Sequence, residues 1–201
     1  MTEAIHFHFK KHDPLIYTYI KRIPLASLEK DKPSAYFSHL CREIIRQQLS
    51  GKAADAIEKR FLALLPHHKY TPEHVLTISH DEIRNAGLSH AKANYVHDLA
   101  KHVKDGSLHL ERFTKYSDEE IIKELTMVKG IGQWTAEMFL MFAMGREDVF
   151  SFGDLGLKKG IVKVYGFKNI PAQKTIEKII RKWSPYKTYA SRILWASLDM
   201  E

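Results

Sequence analysis

"MVKGIGQWTAEMFLMFAMGREDVFSFGDLG", Met127–Gly156, sets a glycine on each side of one isoleucine, continues as a long apolar run and closes on an acid among glycines. Just upstream, "SDEEIIKEL" places Ser117 and Glu120 three residues apart, the spacing of a capping box at a helix start. Together they predict a helix, a turn "VKGIG" and a second helix "QWTAEMFLMFAM". Gly130 and Gly132 can adopt left-handed backbone angles and have no side chain to obstruct an approaching group, while Ile131 can plug the core. Gly130, Ile131, Gly132, Gln133 and Thr135 then form a nest of N–H groups at the positive end of a helix dipole, which suits a phosphate oxygen. A plain tight turn explains the glycines equally well; Lys129 and the basic balance of the chain favour the phosphate.

The remaining sequence sets the bounds. With 201 residues, 44% of them hydrophobic, the chain is long enough for a sizeable core. It carries 31 Lys and Arg against 24 Asp and Glu, a net charge of +7, which favours an anionic partner. Cys41 is the only cysteine, so counting excludes an intramolecular disulfide, a four-thiolate zinc site and a four-cysteine iron–sulfur cluster. A reduced, intracellular setting is the expectation. No run approaches the roughly 20 apolar residues of a membrane span, and no export signal is visible.

Apolar residues recur at helical spacing nearly everywhere, and strand-like alternation is confined to "IHFHF" at the start. The expectation is an all-α chain. Phe37, Cys41, Ile44 and Ile45 make a stripe on a helix opening after Pro33-Ser34 and running to about Ser50. Further helices are predicted over "KAADAIEKRFLALL", after Pro72, from Asp81 to Ala86, over "HAKANYVHDLAKHVKDG", and near 155–165, 172–183 and 187–199. No linker or repeat divides the chain, which reads as one compact unit.

Several separated motifs then point the same way. "LTMVKGIGQWTAEMF" followed by "DVFSFGDLGLKKG" resembles the helix-hairpin-helix DNA glycosylase superfamily. "IIRQQLSGKAADAI", "GLSHAKANYVHDLA" and "WSPYKTYASRILW" are similar to the branch that excises 3-methyladenine and related alkylated bases. The likeness spans roughly residues 34–197, in its compact form without an N-terminal β domain. It implies two helical lobes, one near residues 34–116 and one from 1–33 with 117–201, with the active-site cleft between them. It also implies a monomer acting on double-stranded DNA that contains alkylated bases, and no cofactor.

By that resemblance Asp154 is the catalytic carboxylate, because breaking an N-glycosidic bond builds positive charge on the sugar. An ordinary helix N-cap is the competing reading. Gly153 and Gly156 are expected to leave room for the DNA backbone. Trp134 and Trp195 match aromatic positions of the base pocket, where cation–π attraction suits a positively charged alkylpurine. Met138 stands where a relative has an aromatic residue, and Ser151-Phe152 where relatives have a proline. Relatives that also cleave the strand carry a Schiff-base lysine at the position of Trp134, so the resemblance implies a monofunctional hydrolase.

One more turn of the 37, 41, 44 stripe lands on Gln48, by family position the side chain that fills the space left by a flipped base, with Gln47 beside it. Leu88 is a candidate for pressing on the opposite strand. Ser50 and Lys52, opening a helix, and the pair Lys158 and Lys159 are candidate phosphate contacts. His6, His8 and His12 lack the H-E-x-x-H pattern of a helical metal site, and no metal is expected. Two rival functions remain open: a non-catalytic helix-hairpin-helix DNA-binding module, and a glycosylase for oxidised or deaminated bases.

Overall fold

A computed structural model describes residues 2–200. Among these, all regular structure is helical: α1 (Thr2–His12), α2 (Pro14–Ile20), α3 (Tyr36–Arg46), α4 (Gly51–Leu64), α5 (Pro72–Thr77), α6 (His80–Asn85), α7 (His90–Lys104), α8 (Asp118–Leu125), α9 (Gln133–Phe142), α10 (Leu155–Tyr165), α11 (Gln173–Ile180) and α12 (Lys187–Leu198). Short 3₁₀ turns join several of them, and no strand occurs among the described residues. The chain falls into two compact units, Met1–Lys30 with Leu140–Glu201, and Asp31–Phe139. The second boundary therefore lies within α9, where the sequence reading put it at 116/117, and the hairpin groups with the central unit.

In the central unit, α3 turns Tyr36, Phe37, Leu40, Cys41, Ile44 and Ile45 inward at three- and four-residue spacings, the stripe a core-facing helix requires. Phe61 of α4, Val75 of α5, Ile83 of α6 and Val96 and Leu99 of α7 complete the core. Phe139 is ringed by aromatic edges, with centroids 5.1 Å from Tyr36 and 6.1 Å from Phe113. Serine caps set the starts: Ser79 with Glu82 and Ser117 with Glu120 form full capping boxes, and Ser89 caps α7.

In the other unit the alternating "IHFHF" is helical. Ile5 and Phe9, one turn apart, are buried, while Phe7 between them is 70% exposed, so the helical period places the apolar side chains. The start of α2 is built on Asp13, whose carboxylate is buried. It caps Ile16 N and accepts hydrogen bonds from Tyr165 Oη at 2.6 Å and Trp183 Nε1 at 3.0 Å. Helices α10 and α12 approach closely at Gly160, where a Cβ would stand 2.7 Å from Leu194 Cβ and 2.8 Å from its carbonyl oxygen. Only a residue without a side chain permits that approach.

Candidate active site

Asp154 is built into α10 by three neighbouring constraints. It is the N-cap of the helix, with an extended backbone, and its Oδ1 accepts from Leu157 N at 2.7 Å. The same oxygen accepts from Trp195 Nε1, on α12, at 3.0 Å. Gly156 makes room for this second bond, since a Cβ there would sit 3.0 Å from Trp195 Nε1, Trp195 Cδ1 and Asp154 Oδ1 alike. Gly156 and Gly160 are one turn apart, so the small face that brings α12 close at Leu194 also brings the indole to the carboxylate. The sequence reading gave Gly156 to the DNA backbone; the indole occupies that space instead.

The segment leading into Asp154 lacks the expected proline, yet it is held firmly. Thr188 Oγ1 donates to Arg146 O at 2.6 Å and accepts from Val149 N at 3.1 Å, and Thr188 N donates to Glu147 O at 2.9 Å. Asp148 accepts from Lys187 Nζ and from Ser184 Oγ, both at 2.9 Å. Phe150 and Ser151 are buried beyond it. The start of α12 thus anchors residues 146–149, just ahead of the Ser151-Phe152 pair. The capping bond at Asp154 uses Oδ1 and orients the carboxylate.

Trp195 is half-buried, and its ring lies 5.9 Å from that of Phe142, tilted by 31°. Phe142, 46% exposed at the end of α9, is an aromatic neighbour that sequence reasoning missed. It reads there as one more apolar residue of a long run, and only its exposure marks it out. Lys158 is half-buried and Lys159 exposed on the first turns of α10.

In the central unit the hairpin adopts the expected form. Gly130 takes φ +86°, and the Tyr95 ring lies where its Cβ would be, so glycine is required on both counts. Gly132 is exposed but is not in the left-handed region. Ile131 is buried and plugs the core, and Thr135 is buried behind the exposed Gln133 and Trp134. Two side chains from outside fix the turn: Asp98 Oδ2 accepts from Lys129 N at 2.8 Å, and Gln47 Nε2 donates to Gly130 O at 2.9 Å. Neither Asp98 nor Tyr95 was foreseen, because each acts only after α7 has packed beside the turn.

Other expectations change. Met138 is buried at 5% exposure while Trp134, one turn earlier, is 43% exposed, so Trp134 presents its ring and Met138 belongs to the core. Leu88 is also buried, at 4%, and lines a cavity of 240 Å³ with Gln47, Gln48, Leu49 and Lys92. Gln48 is exposed, but not as a further turn of the apolar stripe: α3 ends at Arg46 and Gln48 takes φ +56°. Ser50 precedes α4 without a side-chain capping bond, and Ser50 and Lys52 are both exposed. Among the described residues no group of three or more His, Cys, Asp or Glu is placed to hold a metal. His8 Nε2 instead lies 2.9 Å from Lys182 O. Cys41 is fully buried, and burial pushes its thiol pKa far up.

Residues 41–185 match the family described as HhH-GPD superfamily base excision DNA repair protein, and the chain belongs to that family. Among curated relatives, DNA-3-methyladenine glycosylase 1 of Schizosaccharomyces pombe is 33% identical over 174 residues, 86% of this chain and 75% of its own length. A Bacillus subtilis relative is 32% identical over 78% of this chain, which spans only 56% of that protein. Two solved structures share the fold. A DNA-3-methyladenine glycosidase from Bacillus halodurans has a TM-score of 0.84 at 34% identity, covering 96% of this chain and 88% of its own. A 3-methyladenine DNA glycosylase of Schizosaccharomyces pombe, in complex with abasic DNA, has a TM-score of 0.81 at 30% identity, covering 98% and 97%.

Proposed function

We propose that this chain is a monofunctional DNA glycosylase that hydrolyses the N-glycosidic bond of alkylated purines, such as 3-methyladenine and 7-methylguanine, in double-stranded DNA. The observation that carries this reading is the carboxylate of Asp154, pinned through Oδ1 by a helix amide and an indole N–H. As the bond breaks, positive charge gathers on the sugar, and a preoriented carboxylate stabilises that charge without reorganising. The same group orients the attacking water.

An alkylated purine already carries positive charge and leaves as a neutral base, so no dedicated general acid is required. Aromatic faces suffice for recognition, worth about 0.5–2 kcal/mol for a cation over a ring. Trp195 with Phe142 supplies one such surface, and the exposed ring of Trp134 another. The hairpin from Lys129 to Thr135, the exposed Ser50 and Lys52, and the net charge of +7 serve the DNA backbone. Gln48, exposed on its left-handed turn, fills the space vacated by the flipped nucleotide, with Gln47 behind it. The protein acts as a monomer, inside the cell where the DNA is.

The test compares Asp154→Asn with wild type on methylated duplex DNA, with released bases identified by mass spectrometry. Asparagine keeps the cap. The variant is expected to bind a duplex containing an abasic mimic as wild type does and to release no 3-methyladenine; full release by the variant sinks the assignment.

A further inference from the structure

Lys92 sits in the first turn of α7, right after the Ser89 cap, where no acidic residue is present. A cation at a helix N-terminus meets the positive end of the dipole, so the position is unfavourable within its own helix. Partial burial also lowers its pKa from the ordinary lysine value. A different helix explains its presence. Lys92 Nζ donates to Ile45 O at 2.8 Å and to Gln47 O at 2.5 Å, two carbonyls at the C-terminal end of α3, where a cation is favoured. Immediately after the second of those carbonyls comes Gln48, a non-glycine residue at φ +56°. Such a conformation is uncommon and persists where the surroundings over-determine it. Here Lys92 holds the turn from one side, and the Gln47 side chain ties it to Gly130 O on the other.

We propose that Lys92 is a positioning residue that locks the Gln47–Gln48 turn and so presents the Gln48 side chain for intrusion into the DNA stack. This rests on the reading of Gln48 as the side chain that fills the vacated space. Lys92 acts by making the intruding group rigid before DNA arrives, so that little ordering is left to be done on binding.

The experiment reads intrusion without chemistry, from the fluorescence of 2-aminopurine placed beside an abasic mimic in duplex DNA, for wild type, Lys92→Met, Gln48→Ala and the double variant. Each single variant is expected to lose at least about threefold of the fluorescence rise, and the double variant no more than Gln48→Ala alone, because residues acting as one unit are not additive. Lys92→Gln, which keeps one donor group, carries the same prediction at smaller size should Lys92→Met not fold. A full fluorescence rise in Lys92→Met or Lys92→Gln overturns the inference, as does additivity of the two losses or a wild type that gives no rise. Failure of the wild type to release any methylated base would remove the proposed activity while leaving this fluorescence test intact.

Discussion

Trp195 Nε1 and Leu157 N donate to the same oxygen, Oδ1 of Asp154, at 3.0 and 2.7 Å. One bond comes from the helix that Asp154 caps and the other from a helix 41 residues away in sequence. The carboxylate is therefore held in two directions, and the indole that shows an aromatic face also orients the acid.

Trp195→Phe separates these two roles, since phenylalanine keeps an aromatic ring and loses the N–H. A hydrogen bond to a charged group contributes about 1.5–3 kcal/mol, so single-turnover base release should slow by roughly 10- to 100-fold. The effect is expected in the rate constant rather than in affinity for an abasic duplex, measured by fluorescence anisotropy. Weakened affinity with an unchanged rate would mean the ring matters only as a wall.

Gly156→Ala tests the same pair from the other side. The added methyl would stand 3.0 Å from the indole nitrogen, and both neighbours are held by bonds of their own. Overpacking of this kind typically costs about 1–3 kcal/mol, visible as a lower melting temperature, and the displaced indole should slow base release as Trp195→Phe does. A variant as stable and as fast as wild type would show that α12 can shift without consequence.

Asp13 gives a stability prediction away from the site. Its carboxylate serves Tyr165 Oη, Trp183 Nε1 and the cap of α2, so Asp13→Ala strands buried donors and should cost about 2–4 kcal/mol by chemical denaturation. Burial first, and the nearby Asp13 charge second, raise the Tyr165 pKa above its ordinary value. The folded state then keeps a proton that the unfolded chain releases near pH 10, so this contribution is fully present below that pH and declines as pH rises above it. Tyr165→Phe should flatten the fall in stability between about pH 9 and 11.

Borohydride added during turnover should trap no protein–DNA adduct, because the first turn of α9 bears Trp134 and no amine to form a Schiff base. A covalent band on a denaturing gel would reveal a lysine attacking the sugar from elsewhere.

Much of this was legible in the residues. Ser117 with Glu120, the two glycines around Ile131, and the helical stripe of α3 are local patterns, and each is realised within a few residues of where it is written. Asp154 at a helix start was legible for the same reason. The alternation in "IHFHF" is short enough to fit either period, and burial of Ile5 and Phe9 decided for the helix; the 37, 41, 44 stripe did not carry on to Gln48, because α3 ends at Arg46.

Tertiary structure decided the rest. That Gly156 admits an indole, that Leu88 and Met138 turn inward while Trp134 and Phe142 stay exposed, and that Lys92 serves the end of α3 are all facts about partners distant in the chain. Periodicity states that a residue lies on a helix and which neighbours share its face. It carries no term for the helix that will pack opposite, and at each of these positions that opposing helix sets the role.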